Sequence, residues 1–182
     1  MATRVVFNSG YLIVMRNGLN SPIVGITRVT STQDAAGNII QILANLPDFL
    51  RKPMLQGRLH EFFAMNEQDR QEMINTALTA APAIDPAKLA VLVKTWLEVL
   101  CEFEPEKRMI IFGTYANQAL KNAELISKLD FASLTRTFLS LGEKEKEKIT
   151  DSLHEVLFAI PGRDRVLKLI PEDSRRALKL TR

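Results

Sequence analysis

Ile84-Asp85-Pro86-Ala87-Lys88-Leu89-Ala90-Val91-Leu92-Val93-Lys94-Thr95-Trp96-Leu97-Glu98-Val99-Leu100-Cys101-Glu102-Phe103-Glu104-Pro105 is the stretch on which the fold turns. Asp85 stands at the N-cap, where a carboxylate accepts from backbone N–H groups that have no partner inside the helix. Pro86 follows at the first helical position, where its missing N–H costs nothing. Leu89, Val91, Leu92, Val93, Trp96, Leu97, Val99 and Leu100 then carry apolar side chains on nearly every side. A helix apolar all round belongs in the middle of a structure, so Trp96 is expected buried there. At Phe103-Glu104-Pro105 the same grammar returns: an apolar residue, a turn residue, a new helix.

That turn recurs outward in both directions. Leu46-Pro47-Asp48, Met65-Asn66-Glu67, Ile84-Asp85-Pro86, Phe103-Glu104-Pro105, Leu141-Gly142-Glu143 and Ile160-Pro161-Gly162 fall on a spacing of about nineteen residues, least clear around residue 122. Two such steps make a helical pair of about 38 residues. At that spacing Leu59, Phe62, Phe63 and Met65 align with Leu97, Leu100, Cys101 and Phe103, and with Thr135, Phe138, Leu139 and Leu141. Arg70, Arg108 and Lys146 align in turn, as do Met73, Ile111 and Ile149.

The reading from Ser31 onward is helical. A first helix opens at Ser31 or Thr32 and stops at Pro47, and Pro53 opens a second with Leu55, Leu59, Phe62 and Phe63 on one face. Asn66 caps a third helix, and Gly113 is a point where the helix after Pro105 can bend. That helix is expected to run to about Lys128, Asp130 to cap the next, and Ser140 with Glu143 to form a capping box. Two short helices flank Pro171. Residues 1–30 differ: Val5, Val6 and Phe7, then Tyr11 to Met15, then Ile23 to Thr27 are β-rich, with turns at Asn8-Ser9-Gly10 and Asn17-Gly18. Pro22 confines the last piece to an edge or to a non-strand.

The pattern over roughly residues 46–160 resembles two-helix repeats of the HEAT or tetratricopeptide type. The Trp-Leu-Gly-Tyr pattern of tetratricopeptide repeats is absent, so HEAT is the better analogue. The resemblance is one of architecture and carries over no functional residue. The expected fold is all-α, about eight helices stacked as antiparallel hairpins over residues 31–182, with a short β-hairpin or extended arm over residues 1–30.

The chain has 182 residues, 46% of them hydrophobic and 25% charged, as ordinary globular proteins do. The net charge of +3 is uneven. Residues 1–33 hold Arg4, Arg16 and Arg28 and no acid, residues 160–182 are net +4, and the body between is mildly acidic. Cys101 is the single cysteine, so no intrachain disulfide forms, and its apolar helix marks it as a buried, inert thiol. Tyr11 to Met15 is too short to span a membrane. No membrane partner is expected, and the expected setting is the cytoplasm.

Little points to catalysis. His60 and His154 each sit in a Leu-His-Glu string, but neither has the second histidine that a zincin helix needs. Proximity to a helix C-terminus accounts for both. There is no glycine-rich phosphate loop, nucleophile elbow or Cys-x-x-Cys. The run Glu143-Lys144-Glu145-Lys146-Glu147-Lys148 reads as a solvated first turn and a half. No cofactor and no enzyme activity are expected. The residues that offer contacts are Arg163, Arg165, Arg175, Arg176 and Lys179, suited to an anion or a partner. Positions 175, 176 and 179 lie on one side of a predicted helix. No aromatic is interleaved with them, which leaves no platform for stacking bases, so nucleic-acid affinity is expected to be weak. The primary expectation is a non-enzymatic module that binds another protein or itself. The alternatives are nucleic-acid binding through the basic C-terminal helices and an enzyme or small-ligand protein with a pocket between helices.

Overall fold

The structure, a computed structural model, describes residues 3–8, 11–16, 23–28 and 32–180, with side-chain surroundings from residue 39 onward. The chain divides into two compact units, Met1–Ala36 and Gly37–Arg182. The first carries strands β1 (Thr3–Asn8), β2 (Tyr11–Arg16) and β3 (Ile23–Arg28). They pair antiparallel in the order β1-β2-β3, with Val5 opposite Val14 and Val14 opposite Gly25. The turn readings at Ser9-Gly10, Asn17-Gly18 and Pro22, and the opening at Ser31, lie outside the described residues.

The second unit is all-α among its described residues. Helix α1 (Thr32–Asn45) leads into it, followed by α2 (Asp48–Ala64), α3 (Glu67–Ala80), a 3₁₀ turn at Ala81–Ala83, α4 (Pro86–Leu100) and α5 (Pro105–Lys121). Then come α6 (Ala123–Ser127), α7 (Phe131–Leu139), α8 (Glu143–Ala159), α9 (Arg163–Leu169) and α10 (Glu172–Ala177). The described residues thus hold ten helices rather than about eight. Asn122, at φ −133 and ψ 61, breaks the long helix expected to reach Lys128 and frees α6.

The helices form two rows. In one, α4 packs between α2 and α7, and α10 packs on α7; in the other, α5 packs between α3 and α8, and α9 packs on α5. One contiguous core runs through both rows, with Phe62, Val99, Leu100, Ile111 and Ile149 at its centre. A smaller cluster of Leu157, Val166 and Leu180 lies under the C-terminal helices.

Side-chain caps match chemistry at three helix starts. Asp85 accepts from Ala87 N and Lys88 N, both at 3.1 Å. Asn66 accepts from Asp69 N at 3.0 Å, and Asp130 from Ser133 N at 2.9 Å. Elsewhere local readings fail. The helix expected to open at Pro53 opens at Asp48, with Pro47 as its N-cap and Pro53 inside it. The capping box at Ser140 does not form: Ser140 Oγ donates back to Thr137 O at 2.7 Å, Gly142 is the N-cap of α8, and Glu143 pairs with Lys146 at 2.5 Å. Trp96 is only partly buried, edge-on to Phe112 and Tyr115 at 6.1 and 5.7 Å.

The recurrent turn has a physical lock. Five residues after the apolar residue of the turn, an arginine on the next helix bends back and donates to that residue's carbonyl: Arg51 Nη2 to Leu46 O, Arg70 Nη1 to Met65 O at 2.8 Å, and Arg108 Nη1 to Phe103 O. Each donates to a carbonyl at a helix end, where intrahelical donors run out. Lys146 holds the aligned position but pairs with Glu143 instead, since a single ammonium lacks the forked reach of a guanidinium.

Candidate functional site

The C-terminal end of the second row holds a cleft of about 510 Å³. Its floor is Leu157 and Leu180, both in the small second core; His154, Arg163 and Lys179 bring polar heads to it, with Glu155 and Phe158 beside them. Three local events build it. Gly162 sits at φ +97, a conformation open to glycine, and turns the chain from α8 into α9. That turn sets Arg163 at the start of α9. At the far side, α10 closes in a Schellman motif: Leu180 N donates to Arg175 O at 2.7 Å and Lys179 N to Arg176 O at 3.1 Å, with Lys179 left-handed at φ +56. Burial of Leu180 holds that closure down.

His154 ties α8 to this closure. Its Nε2 lies 2.8 Å from Lys179 O. A carbonyl only accepts, so Nε2 carries the proton and donates it to Lys179 O. The expected contact between His154 and a helix C-terminus is therefore made with the end of α10, not of its own helix. Arg163 Nε is buried with no acceptor among the described residues, and the Phe158 ring is 85% exposed.

The five basic positions singled out from the sequence separate. Arg163 and Lys179 meet in this cleft. Arg165 turns away and donates to Leu120 O at 3.4 Å. Arg176 is held by Glu172 at 2.8 Å and Asp173 at 3.7 Å. Arg175 is half-buried on α10. Lys179 does not share a helical face with Arg175 and Arg176, because α10 ends at Ala177. Phe158 and Glu155 were not picked out from the sequence. Phe158 follows Val156 and Leu157 as one more apolar residue of α8, and only its exposure sets it apart.

A second cleft, of about 540 Å³, lies between α2, α4 and the start of α8. Several of its polar groups are already paired. Glu102 takes Lys52 at 2.5 Å and the Gln56 amide at 2.6 Å, and the Lys52 hydrogen bond holds its carboxyl below the usual range. Lys148 Nζ donates to Cys101 O at 3.0 Å, so the charge run at the start of α8 is partly spent on tertiary contacts rather than wholly solvated. Burial raises the Cys101 thiol above its ordinary value, which keeps it protonated and unreactive. His60 stands edge-on to Phe103 at 5.1 Å, beside Phe63 and Lys107. Among the described residues, no three His, Cys, Asp or Glu side chains converge as a metal site, and no helix is long and apolar enough to cross a membrane.

Compared with known proteins, the chain matches no family model, no curated protein and no solved structure.

Proposed function

We propose that this chain is a non-enzymatic protein-interaction module: a HEAT-like stack of helical hairpins that works in the cytoplasm and binds another protein, or a second copy of itself, through its helical surface. The observation that supports the reading is the order of packing, with α2 against α4, α3 against α5 and α5 against α8, pairs whose members start 38 residues apart. Such stacking buries a continuous core and leaves an extended outer surface that no local chemistry claims. Large apolar side chains lie open on that surface at both ends of the helical sequence, Phe49 at 76% and Phe158 at 85% exposure. Exposed apolar groups of this size mark contact sites more often than catalytic ones.

The test is affinity capture of the tagged full chain from its native source, with and without nuclease, in parallel with binding to mixed-sequence RNA and DNA at rising salt. A protein recovered in stoichiometric amount after nuclease treatment is the expected result. Recovery that vanishes with nuclease, joined to nucleic-acid binding that falls steeply with salt, would replace the reading with the nucleic-acid one.

A further inference from the structure

We infer that the cleft between α8 and the C-terminal closure binds an acidic peptide segment, seating an apolar side chain against Phe158 and Leu157 and a neighbouring carboxylate between Arg163 and Lys179. This rests on the interaction-module reading and names its site.

Three observations converge. Arg163 and Lys179 are the two full positive charges on the cleft. A guanidinium and an ammonium on one cleft offer an incoming carboxylate charge-assisted hydrogen bonds. The Phe158 ring lies open to solvent beside an apolar floor, the composition of an anchor position. His154 has its Nε2 proton committed to Lys179 O, which fixes the closure that carries Lys179. Glu155 is the one acid on the cleft and has no ion-pair partner among the described residues. It opposes an acidic ligand at one edge and so makes its own removal informative.

The experiment titrates the full chain, ¹⁵N-labelled, with a blocked Asp-Glu-Phe-Asp-Glu-Leu peptide, its Lys-substituted counterpart, and inorganic phosphate. Saturable shifts confined to the end of α8, the start of α9 and residues 178–180 are expected, weakening as salt rises. R163Q with K179N should weaken binding about tenfold. F158A should weaken it about as much. E155Q should tighten it about twofold. Thermal melts report whether each variant is folded; F158A and E155Q change exposed positions and carry the test if R163Q does not fold. Absence of shifts at about 2 mM peptide, equal binding of the Lys counterpart, or the same shifts with phosphate alone and no effect of F158A would overturn the inference. Capture of a partner that the R163Q/K179N and F158A variants retain would also overturn it, while the interaction reading stands. Peptide binding in a chain that captures no protein would do the reverse.

Discussion

Arg108 is 5% exposed, yet both of its partners are uncharged: Nε donates to Ser152 Oγ at 3.0 Å and Nη1 to Phe103 O. A guanidinium reaches both at once, joining the α4–α5 turn to α8. Truncation leaves a carbonyl and a hydroxyl without a donor and removes the packing of the aliphatic stem. Arg108→Ala should therefore cost about 2–4 kcal/mol in urea unfolding. Arg108→Lys should recover less than half of that, because one ammonium cannot span two directions. A second residue gives a pH signature. Desolvation pushes the Tyr115 hydroxyl up to about 12 while its neutral form stays favoured in the fold. Between pH 10 and 12 the unfolded chain loses this proton and the folded one keeps it. Stability is thus intact below about pH 10 and falls as pH rises toward 12, by roughly 1–3 kcal/mol. In a Tyr11→Phe chain, the tyrosinate absorbance should rise near pH 12 in the folded protein and near pH 10 in urea.

At the scale of the element, three glycines take opposite roles. Gly57 lies inside α2 and Gly113 inside α5, which runs unbroken through it, and a Cβ at either meets no atom within 4 Å. These glycines carry the entropic cost of a flexible residue in a helix with no steric reason for it. Changing both to alanine should raise unfolding stability by about 1–2 kcal/mol, read as a higher denaturant midpoint at unchanged slope. Gly162 is the opposite case. Its φ of +97 excludes a side chain, and a Cβ would meet Leu120 Cδ2 at 3.3 Å. Gly162→Ala should cost at least about 1–2 kcal/mol and loosen the α8–α9 turn. The turn at 160–162 is visible in the sequence as Ile-Pro-Gly. The closure of α10 is not, because Lys179 occupies the position where glycine is the usual sign.

At the scale of the molecule, the two rows share one core, so a defect in one helix is felt in both. Leu97 on α4 and Phe138 on α7 are each buried in that core. Leu97→Ala and Phe138→Ala should each cost about 2–5 kcal/mol. Helix content by far-ultraviolet dichroism and Trp96 fluorescence should lose their signal in one coincident transition for each variant. Separate transitions would show that the rows unfold piecewise.

What the sequence determined by itself is local and periodic. A nineteen-residue turn, an N-cap with its proline, and an apolar face every third or fourth position are set by backbone hydrogen-bond needs and helical geometry, which act over a few residues. That much makes α4 legible from Asp85 onward, along with the helical class of the second unit. Tertiary structure decided what depends on neighbours outside the local turn. Apolar all-round character does not say how far Trp96 is covered, and nothing in the sequence sets Phe158 apart from Val156 and Leu157 beside it. Of the five basic positions, Arg163 and Lys179 share a cleft and Arg165 is spent on Leu120 O, while Arg176 is held within its own helix by Glu172 and Asp173. The physical reason is range: capping and periodicity are satisfied within a turn, whereas side-chain exposure and the grouping of residues from separate elements in one cleft are fixed only when those elements meet.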